Sequence, residues 1–272
     1  LRRPPRSRAE VPVVAVGNLM MGGAGKTPTT LWLAEKLAAA GCRPFVVTRG
    51  YGGRLAGPVA VDPDRHGPAE VGDEALMMAK RGAAVVVARD RPAGIAHAVA
   101  AGATHAILDD GFQSRSVAAD FALLVVDAPY GIGNGRVFPA GPLRAPLGVQ
   151  LAVADAVLLI GEGEADFLDP DKPVLRARLS PREPERWGGR RLFGYAGIGR
   201  PAKFRATLED LGVDLAGFGA LPDHHVIGDA EAAALLAEAD RLGAGLVTTA
   251  KDRARLGHPV GGALAELAAR SE

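Results

Sequence analysis

Apolar, β-branched runs alternate along the first 160 residues with stretches whose apolar positions recur at helical spacing. The runs predict buried strands at 11–16, 45–48, 84–88, 106–108, 121–127 and 156–160, and the intervening stretches predict helices at 28–40, 70–81 and 91–101. Pro28 falls early in the first turn of its helix and Gly41 stands at its stop, the usual asymmetry of helix ends. Continuously apolar strands alternating with helices imply a mostly parallel sheet with helices on both faces. Right-handed crossovers then bring the strand ends, and any site, to one edge. The pattern restarts after about residue 180. A polar segment with two prolines and two glycines (181–189) reads as a linker. A strand at 191–196, a helix at 202–211 stopped by Gly212, a helix at 229–242 and a strand at 246–249 follow. The expectation is a core domain over 1–180 and a smaller C-terminal α/β lobe over 181–272 that closes a cleft where two substrates meet.

Composition narrows the classes. The 272 residues carry a formal net charge of +1, so no global field points to a nucleic-acid partner. Cys42 is the only cysteine, which rules out an intrachain disulfide and a cysteine metal cluster. No run approaches the ~20 apolar residues of a membrane span, and no signal peptide is visible. The first ten residues, LRRPPRSRAE, hold four arginines and one acid. They read as a solvated leader or, alternatively, as a juxtamembrane basic patch facing anionic lipid.

The chemistry begins at VVAVGNLMMGGAGKTP (13–28), which runs strand, glycine loop, helix. Glycines let backbone N–H groups turn toward phosphate oxygens, and the following helix aims its positive end at the same place. Lys26 then reaches the β- and γ-phosphates, and the Thr27 hydroxyl holds Mg²⁺. The fold class expected is therefore that of the P-loop NTPases, and the ligands are ATP and Mg²⁺. Met20 stands where the standard pattern has its first glycine, so the nearer match is the variant G-G-x-G-K-T.

A phosphoryl-transfer protein also needs carboxylates at strand ends near the loop. ILDDG (107–111) ends one strand in Asp109 and Asp110, and LLVVD (123–127) ends another in Asp127. A single aspartate after a strand is often a turn residue. Two adjacent ones repel each other unless a cation is near. Asp73 and Glu74 follow Gly72 at a helix start, where negative charge suits the dipole. The pair His224–His225 follows Pro222 and Asp223, and a histidine pair in a loop is more often a surface feature than a catalytic one.

Together with VPVVAVGNLMMGGAGKTP (11–28), the segments TRGYGGR (48–54), VGDEALMMA (71–79), ILDDGFQSR (107–115), GNGRVFPAGPLR (133–144), GYAGIGRPAKFRATLEDLG (194–212), LPDHH (221–225) and TTAKD (248–252) resemble the tetraacyldisaccharide 4′-kinases of lipid A biosynthesis, in that family's order. The resemblance covers most of the chain. It implies transfer of the γ-phosphate of ATP to the 4′-hydroxyl of a tetraacyldisaccharide 1-phosphate, giving lipid IVA. It casts Met20, Met21, Gly22, Gly23, Ala24, Gly25, Lys26 and Thr27 as the ATP loop, Asp73 and His224 as the catalytic-base pair beside Lys26, and Asp109 and Asp110 with Thr27 as the metal site. Arg49, Arg136 and Arg144 fall in family motifs as contacts to phosphates or sugar. The partners implied are the lipid A disaccharide precursor and the cytoplasmic face of the inner membrane, with no nucleic acid and no obligate protein partner. Members commonly carry an N-terminal membrane helix, expected here upstream of Leu1. Many also carry an acid where this chain has Ala145.

Two other readings use the same loop. A partition-type or metal-insertase ATPase switch often has a lysine where this chain has Met21. A GTPase needs an N-K-x-D base-reading motif, and Ala250-Lys251-Asp252 lacks its asparagine and spacing.

Overall fold

The computed structural model describes residues 7–114, 116–163, 165–168 and 171–272; the start of the arginine-rich leader, 1–6, lies outside the described residues. In chain order the elements are β1 (Val13–Asn18), α1 (Lys26–Ala39), β2 (Pro44–Thr48), β3 (Val59–Ala60), α2 (Pro68–Val71), α3 (Asp73–Lys80), β4 (Ala84–Val87), α4 (Arg91–Ala100), β5 (His105–Asp109), β6 (Phe121–Asp127), α5 (Leu147–Leu151), β7 (Ala156–Ile160) and β8 (Val174–Ala177). Then come β9 (Arg191–Ala196), α6 (Pro201–Asp210), β10 (Asp214–Ala220), α7 (Asp229–Arg241), β11 (Gly245–Thr248), α8 (Ala250–Leu256) and α9 (Gly262–Arg270). The chain divides into two units, 1–66 with 70–179, and 67–69 with 180–272.

The first unit is built on one sheet in the order β3-β4-β2-β5-β1-β6-β7-β8, parallel throughout except for the β3–β4 pairing. The six apolar runs of the sequence are β1, β2, β4, β5, β6 and β7. Their burial on both faces follows from the period of two. In β5, Ala106 and Leu108 join a core formed with Ile95 and Ala98 of α4. Asp109 points to the other face, where it accepts a hydrogen bond from Thr30 of α1. Helices therefore cover both faces, as a parallel sheet requires.

The second unit is a three-stranded parallel sheet ordered β10-β9-β11. Alternation along β9 again divides two cores. Phe193 and Tyr195 pack with Leu235, Leu236, Leu256 and Leu267 from α7, α8 and α9. Leu192 packs with Leu208 of α6.

The structure differs from the sequence pattern in identifiable places. The helix expected at 70–81 is two helices, broken at Gly72 with φ 87°. A Cβ there would lie 2.4 Å from the Tyr51 carbonyl, so only glycine lets the two segments pack this closely. The helix expected from residue 28 begins at Lys26, because the glycine loop itself forms its start. Strand β8 is mostly exposed at a sheet edge and carries no apolar alternation. Strand β10 has glycines at 217 and 219, which depress strand propensity; Gly217 instead accommodates the Phe193 ring, 3.0 Å from where its Cβ would stand. Also unforeseen were the two-residue β3 and the short helices α5, α8 and α9. Among the described residues no helix is long and apolar enough to cross a membrane.

Candidate active site

Two neighbouring strands deliver the site. β1 lies beside β5 in parallel register, with Val16 opposite Asp109, so the glycine loop and the paired aspartates leave the sheet at one edge. The loop turns into α1 through Gly25, whose φ of 89° is left-handed and whose Cβ would lie 2.5 Å from Ile160. Gly22 and Gly23 are exposed, Ala24 is buried, and Met20 is buried while Met21 is 57% exposed. Met20 fills the place of the standard glycine as a core residue, packed with Phe112, Leu124 and Leu143.

The Lys26 ammonium donates to Asn18 Oδ1 at 3.0 Å and lies 3.6 Å from Asp110 Oδ1. Asn18 is buried, and its amide also donates to the Gly22 carbonyl at 3.1 Å, so one side chain spans the mouth of the loop. Asp110 has a left-handed φ of 51°, which takes it out of the strand's alternation. Its Oδ2 accepts from Arg144 Nη1 at 3.1 Å, and its carbonyl accepts from Arg91 Nη2 at 2.7 Å. Its Oδ1 is buried and accepts no hydrogen bond among the described residues. The paired aspartates thus divide. Asp109 is tucked under α1 against Thr30, and Asp110 is turned toward Lys26 and Arg144. Burial, then Glu74 and Asp110, push the Asp109 carboxyl up to about 7, with Thr30 and Lys26 opposing.

Arg144 arrives by a strand-like zipper. Leu143 bridges Met20 in antiparallel fashion, Met21 N–H donates to the Pro142 carbonyl at 2.9 Å, and Arg144 N–H donates to the Leu19 carbonyl at 2.9 Å. The Arg144 side chain adds a bond from Nε to the Met20 carbonyl at 3.0 Å. Two glutamines brace the same stretch. Gln113 donates to the Asn18 carbonyl at 2.8 Å, and the buried Gln150 donates to the Leu19 carbonyl at 3.2 Å and the Ala145 carbonyl at 2.8 Å. Ala145 contributes its backbone here, so the acid absent from its side chain is not needed for this brace.

Asp73 opens α3 and is buried, with Oδ1 accepting from the Glu74 N–H at 2.8 Å. Arg49, just past β2, is exposed; Arg136 is exposed too, its N–H donating to Asn134 Oδ1 at 3.1 Å. Asp127 is buried, and its carbonyl receives the N–H groups of Tyr130 and Gly131, the turn role read for it. His224 belongs to the second unit. It has a left-handed φ of 58°, donates its N–H to the Gly197 carbonyl at 3.2 Å, and places Nε2 3.5 Å from the Lys251 ammonium. The structure therefore gathers the loop, Asp109, Asp110 and Arg144 around one strand edge, and leaves Arg49 and Arg136 facing solvent.

Sequence reasoning passed over Asn18, Gln113, Gln150 and Arg91. Asn18 and Gln113 lie inside quoted motifs, and a polar residue closing a buried strand beside a glycine loop was the available signal for Asn18. Arg91 reads as an ordinary helix start before Pro92. In fact it is 7% exposed; burial, then Arg49, hold its guanidinium below the usual range, with Asp110 and Asp109 opposing.

A donor set of one hydroxyl, Thr27, and carboxylates 109 and 110 suits Mg²⁺, which takes few protein ligands and completes its shell with water and phosphate. The fit has two supports. Asp110 offers a buried oxygen without a hydrogen-bond donor, and Asp109 is buried amid negative charge that a cation would offset. Among the described residues no cluster of three or more His, Cys, Asp or Glu side chains forms a self-sufficient metal cage.

A glycine loop joining the central strand of a parallel sheet to a helix, with lysine, arginine and paired aspartates at its mouth, defines a protein of the phosphate-loop class. Within that class the chain belongs to the tetraacyldisaccharide-1-P 4′-kinase family, whose model matches residues 3–268. It is 54% identical over 256 residues to a tetraacyldisaccharide 4′-kinase of Rhodopseudomonas palustris, covering 91% of this chain and 75% of that one. It is 51% identical over 257 residues to one of Nitrobacter winogradskyi, covering 92% and 76%. Among solved structures it is similar to an "apo"-form LpxK from Aquifex aeolicus in complex with ATP, with a TM-score of 0.72, 28% identity, and coverage of 93% of this chain and 82% of that one.

The Asp109 environment makes a pH prediction. An unfolded aspartate ionises from its ordinary value of 3.8, whereas the folded one keeps its proton up to about 7. Its charge therefore destabilises the metal-free fold increasingly from pH 3.8 to about 7, and fully above that. Asp109→Asn should raise the thermal midpoint of the nucleotide- and metal-free protein at pH 8 by roughly the equivalent of a few kcal/mol, and leave it unchanged near pH 3. Calorimetry across that range checks it, and an equal shift at both ends would remove ionisation as the cause.

Proposed function

We propose that the chain transfers the γ-phosphate of ATP to the 4′-hydroxyl of a tetraacyldisaccharide 1-phosphate at the inner face of the cytoplasmic membrane. The observation that carries the reading is the convergence of Lys26, Arg144 and the Asp109–Asp110 pair on one strand edge, in a chain matched by the kinase family over nearly its whole length.

The loop's N–H groups from Gly22 to Thr27 would cradle the phosphates, and the start of α1 adds its positive end. Lys26 leaves Asn18 for the β- and γ-phosphate oxygens. Arg144, already paired to Asp110, would offset the charge that builds on the phosphate oxygens. Thr27, Asp109 and Asp110 would hold Mg²⁺, which when bound neutralises phosphate charge. The acceptor hydroxyl is a weak nucleophile and needs a positioned base. Asp73 takes its proton as the hydroxyl oxygen bonds to the γ-phosphorus; the bond from that phosphorus to the bridging oxygen breaks and ADP departs. His224 is read as the partner of Asp73 in this step. Arg49 and Arg136, exposed and cationic, are suited to the substrate's 1-phosphate or sugar oxygens. Location at the membrane surface follows from an acceptor whose acyl chains stay in the bilayer.

The test is transfer of label from [γ-³²P]ATP to the tetraacyldisaccharide 1-phosphate in detergent micelles. Labelled lipid supports the reading. ATP hydrolysis without labelled lipid would favour the switch ATPase instead. Lys26→Ala should abolish transfer while the fold melts as before. Asp73→Ala should lower kcat by about 10²–10⁴-fold with a much smaller change in the ATP KM; the reverse split would take Asp73 out of the base role. The protein should sediment with phospholipid vesicles, and its remaining in the supernatant would contradict the membrane location.

A further inference from the structure

β1 ends in a polar side chain where its pattern calls for an apolar one. Val13 and Ala15 pack into the core under α4, so alternation turns Val14, Val16 and Asn18 to the α1 face of the sheet. Asn18 is only 1% exposed there. A buried carboxamide is costly to the fold unless both of its groups are matched. Here both are, and each partner belongs to the glycine loop or the lysine that closes it. Asn18 Oδ1 accepts from the Lys26 ammonium at 3.0 Å, and Nδ2 donates to the Gly22 carbonyl at 3.1 Å. An ammonium only donates and a carbonyl only accepts, so the amide sits in one orientation. The backbone of Asn18 is fixed as well. It pairs with Val125 of β6, and its carbonyl accepts from Gln113 Nε2 at 2.8 Å.

In a trans peptide the carbonyl and the N–H point to opposite sides. Asn18 therefore sets the direction of the Gly23 N–H together with that of the Gly22 carbonyl: the carbonyl is drawn to the strand end and the N–H is turned away from it. That N–H meets no acceptor among the described residues. Neither glycine is required by packing, because a Cβ at either would meet nothing within 4 Å. Gly22 has φ 106°, a conformation that favours glycine and lets its carbonyl turn back to Asn18. Gly23 has no such φ, and what its missing side chain provides is room for a ligand to approach the peptide closely.

We propose that Asn18 is a positioning residue of the phosphate loop: through the Gly22 carbonyl its carboxamide aims the Gly23 N–H at the phosphate oxygens, and through Oδ1 it keeps the Lys26 ammonium beside them. The proposal rests on the reading of residues 22–27 as the ATP loop. A mere resting place for Lys26 would behave in the opposite way. An acceptor that only competes with phosphate for the ammonium weakens binding, and its removal strengthens it.

The test titrates the whole chain with Mg²⁺ and the non-hydrolysable ATP analogue AMP-PNP, followed by calorimetry and by ¹H–¹⁵N correlation of the Gly23 amide. In the native protein the Gly23 amide proton should move downfield on binding, as an N–H does when it gains an anionic acceptor. Asn18→Ala should lose that movement and bind the analogue about 10-fold more weakly. Asn18→Asp keeps the volume and the acceptor for Lys26 but loses the donor to Gly22, and should weaken binding at least as much. In the lipid-kinase assay Asn18→Ala should raise the KM for ATP about 10-fold and leave the KM for the lipid little changed. Binding by Asn18→Ala as tight as native or tighter would overturn the proposal. So would a native Gly23 amide that does not move, a result that depends on no variant folding. Native protein that binds no analogue would overturn the phosphate-loop reading and the proposal with it, whereas binding without labelled lipid would overturn the kinase reading alone.

Discussion

Asp110 is the point at which the strand order of the sheet becomes a charged site. Because β5 runs beside β1, the chain leaving β5 comes out next to the glycine loop, and a left-handed turn at Asp110 swings its carboxylate across to Lys26 and Arg144. Arg91 holds the same residue from behind through its carbonyl. A non-glycine residue in that conformation persists only where its surroundings over-determine it, and here three cationic side chains do so. The zipper of Leu143 and Arg144 onto Leu19–Met21, and the glutamine braces beneath it, make the loop and the arginine one rigid piece. The site is thus preorganised for an anionic ligand.

That arrangement also explains the uneven roles of two adjacent aspartates. Asp109 remains in the strand, so its side chain falls on the α1 face, buried against Thr30 and raised to about 7. Asp110 lies beyond the strand and faces the loop. Without a cation the buried Asp109 carboxylate is costly to the fold; in the proposed complex, Mg²⁺ and triphosphate would give partners to the negative charge of Asp109 and to the excess positive charge of Lys26 and Arg144.

Much of this was legible in the sequence because it rests on local, periodic or motif-borne signals. The six core strands of the first unit are runs of Val, Ile, Leu and Ala long enough to mark themselves, and the loop from Gly22 to Thr27 sits between a strand and a helix as its chemistry demands. What escaped was decided by contacts between distant segments. Gly72 looks like a tolerable interruption of a helix, and only the approach of Tyr51 makes it a break. β10 looks like a glycine-rich loop until Phe193 packs over it. The direction of Asp110 could not follow from strand alternation, since the strand ends one residue earlier. Arg91, Gln113 and Gln150 act through backbone carbonyls many positions away, which leaves no trace in spacing. Membership of the kinase family bears out the resemblance on which the function was read, whereas the individual roles of the site residues, Lys26, Thr27, Asp109, Asp110 and Arg144 as much as Asp73, His224, Arg49 and Arg136, stand as proposals.

The most direct test of the central claim is a crystal structure of the protein with a non-hydrolysable ATP analogue and Mn²⁺, the metal located by its anomalous signal. The account predicts the metal about 2.1 Å from the Thr27 hydroxyl and directly or through water on Asp109 or Asp110, with the Lys26 ammonium moved from Asn18 onto the phosphates and Arg144 still paired to Asp110. Phosphates bound away from residues 22–27, or Lys26 still on Asn18 with the metal remote from both aspartates, would contradict it.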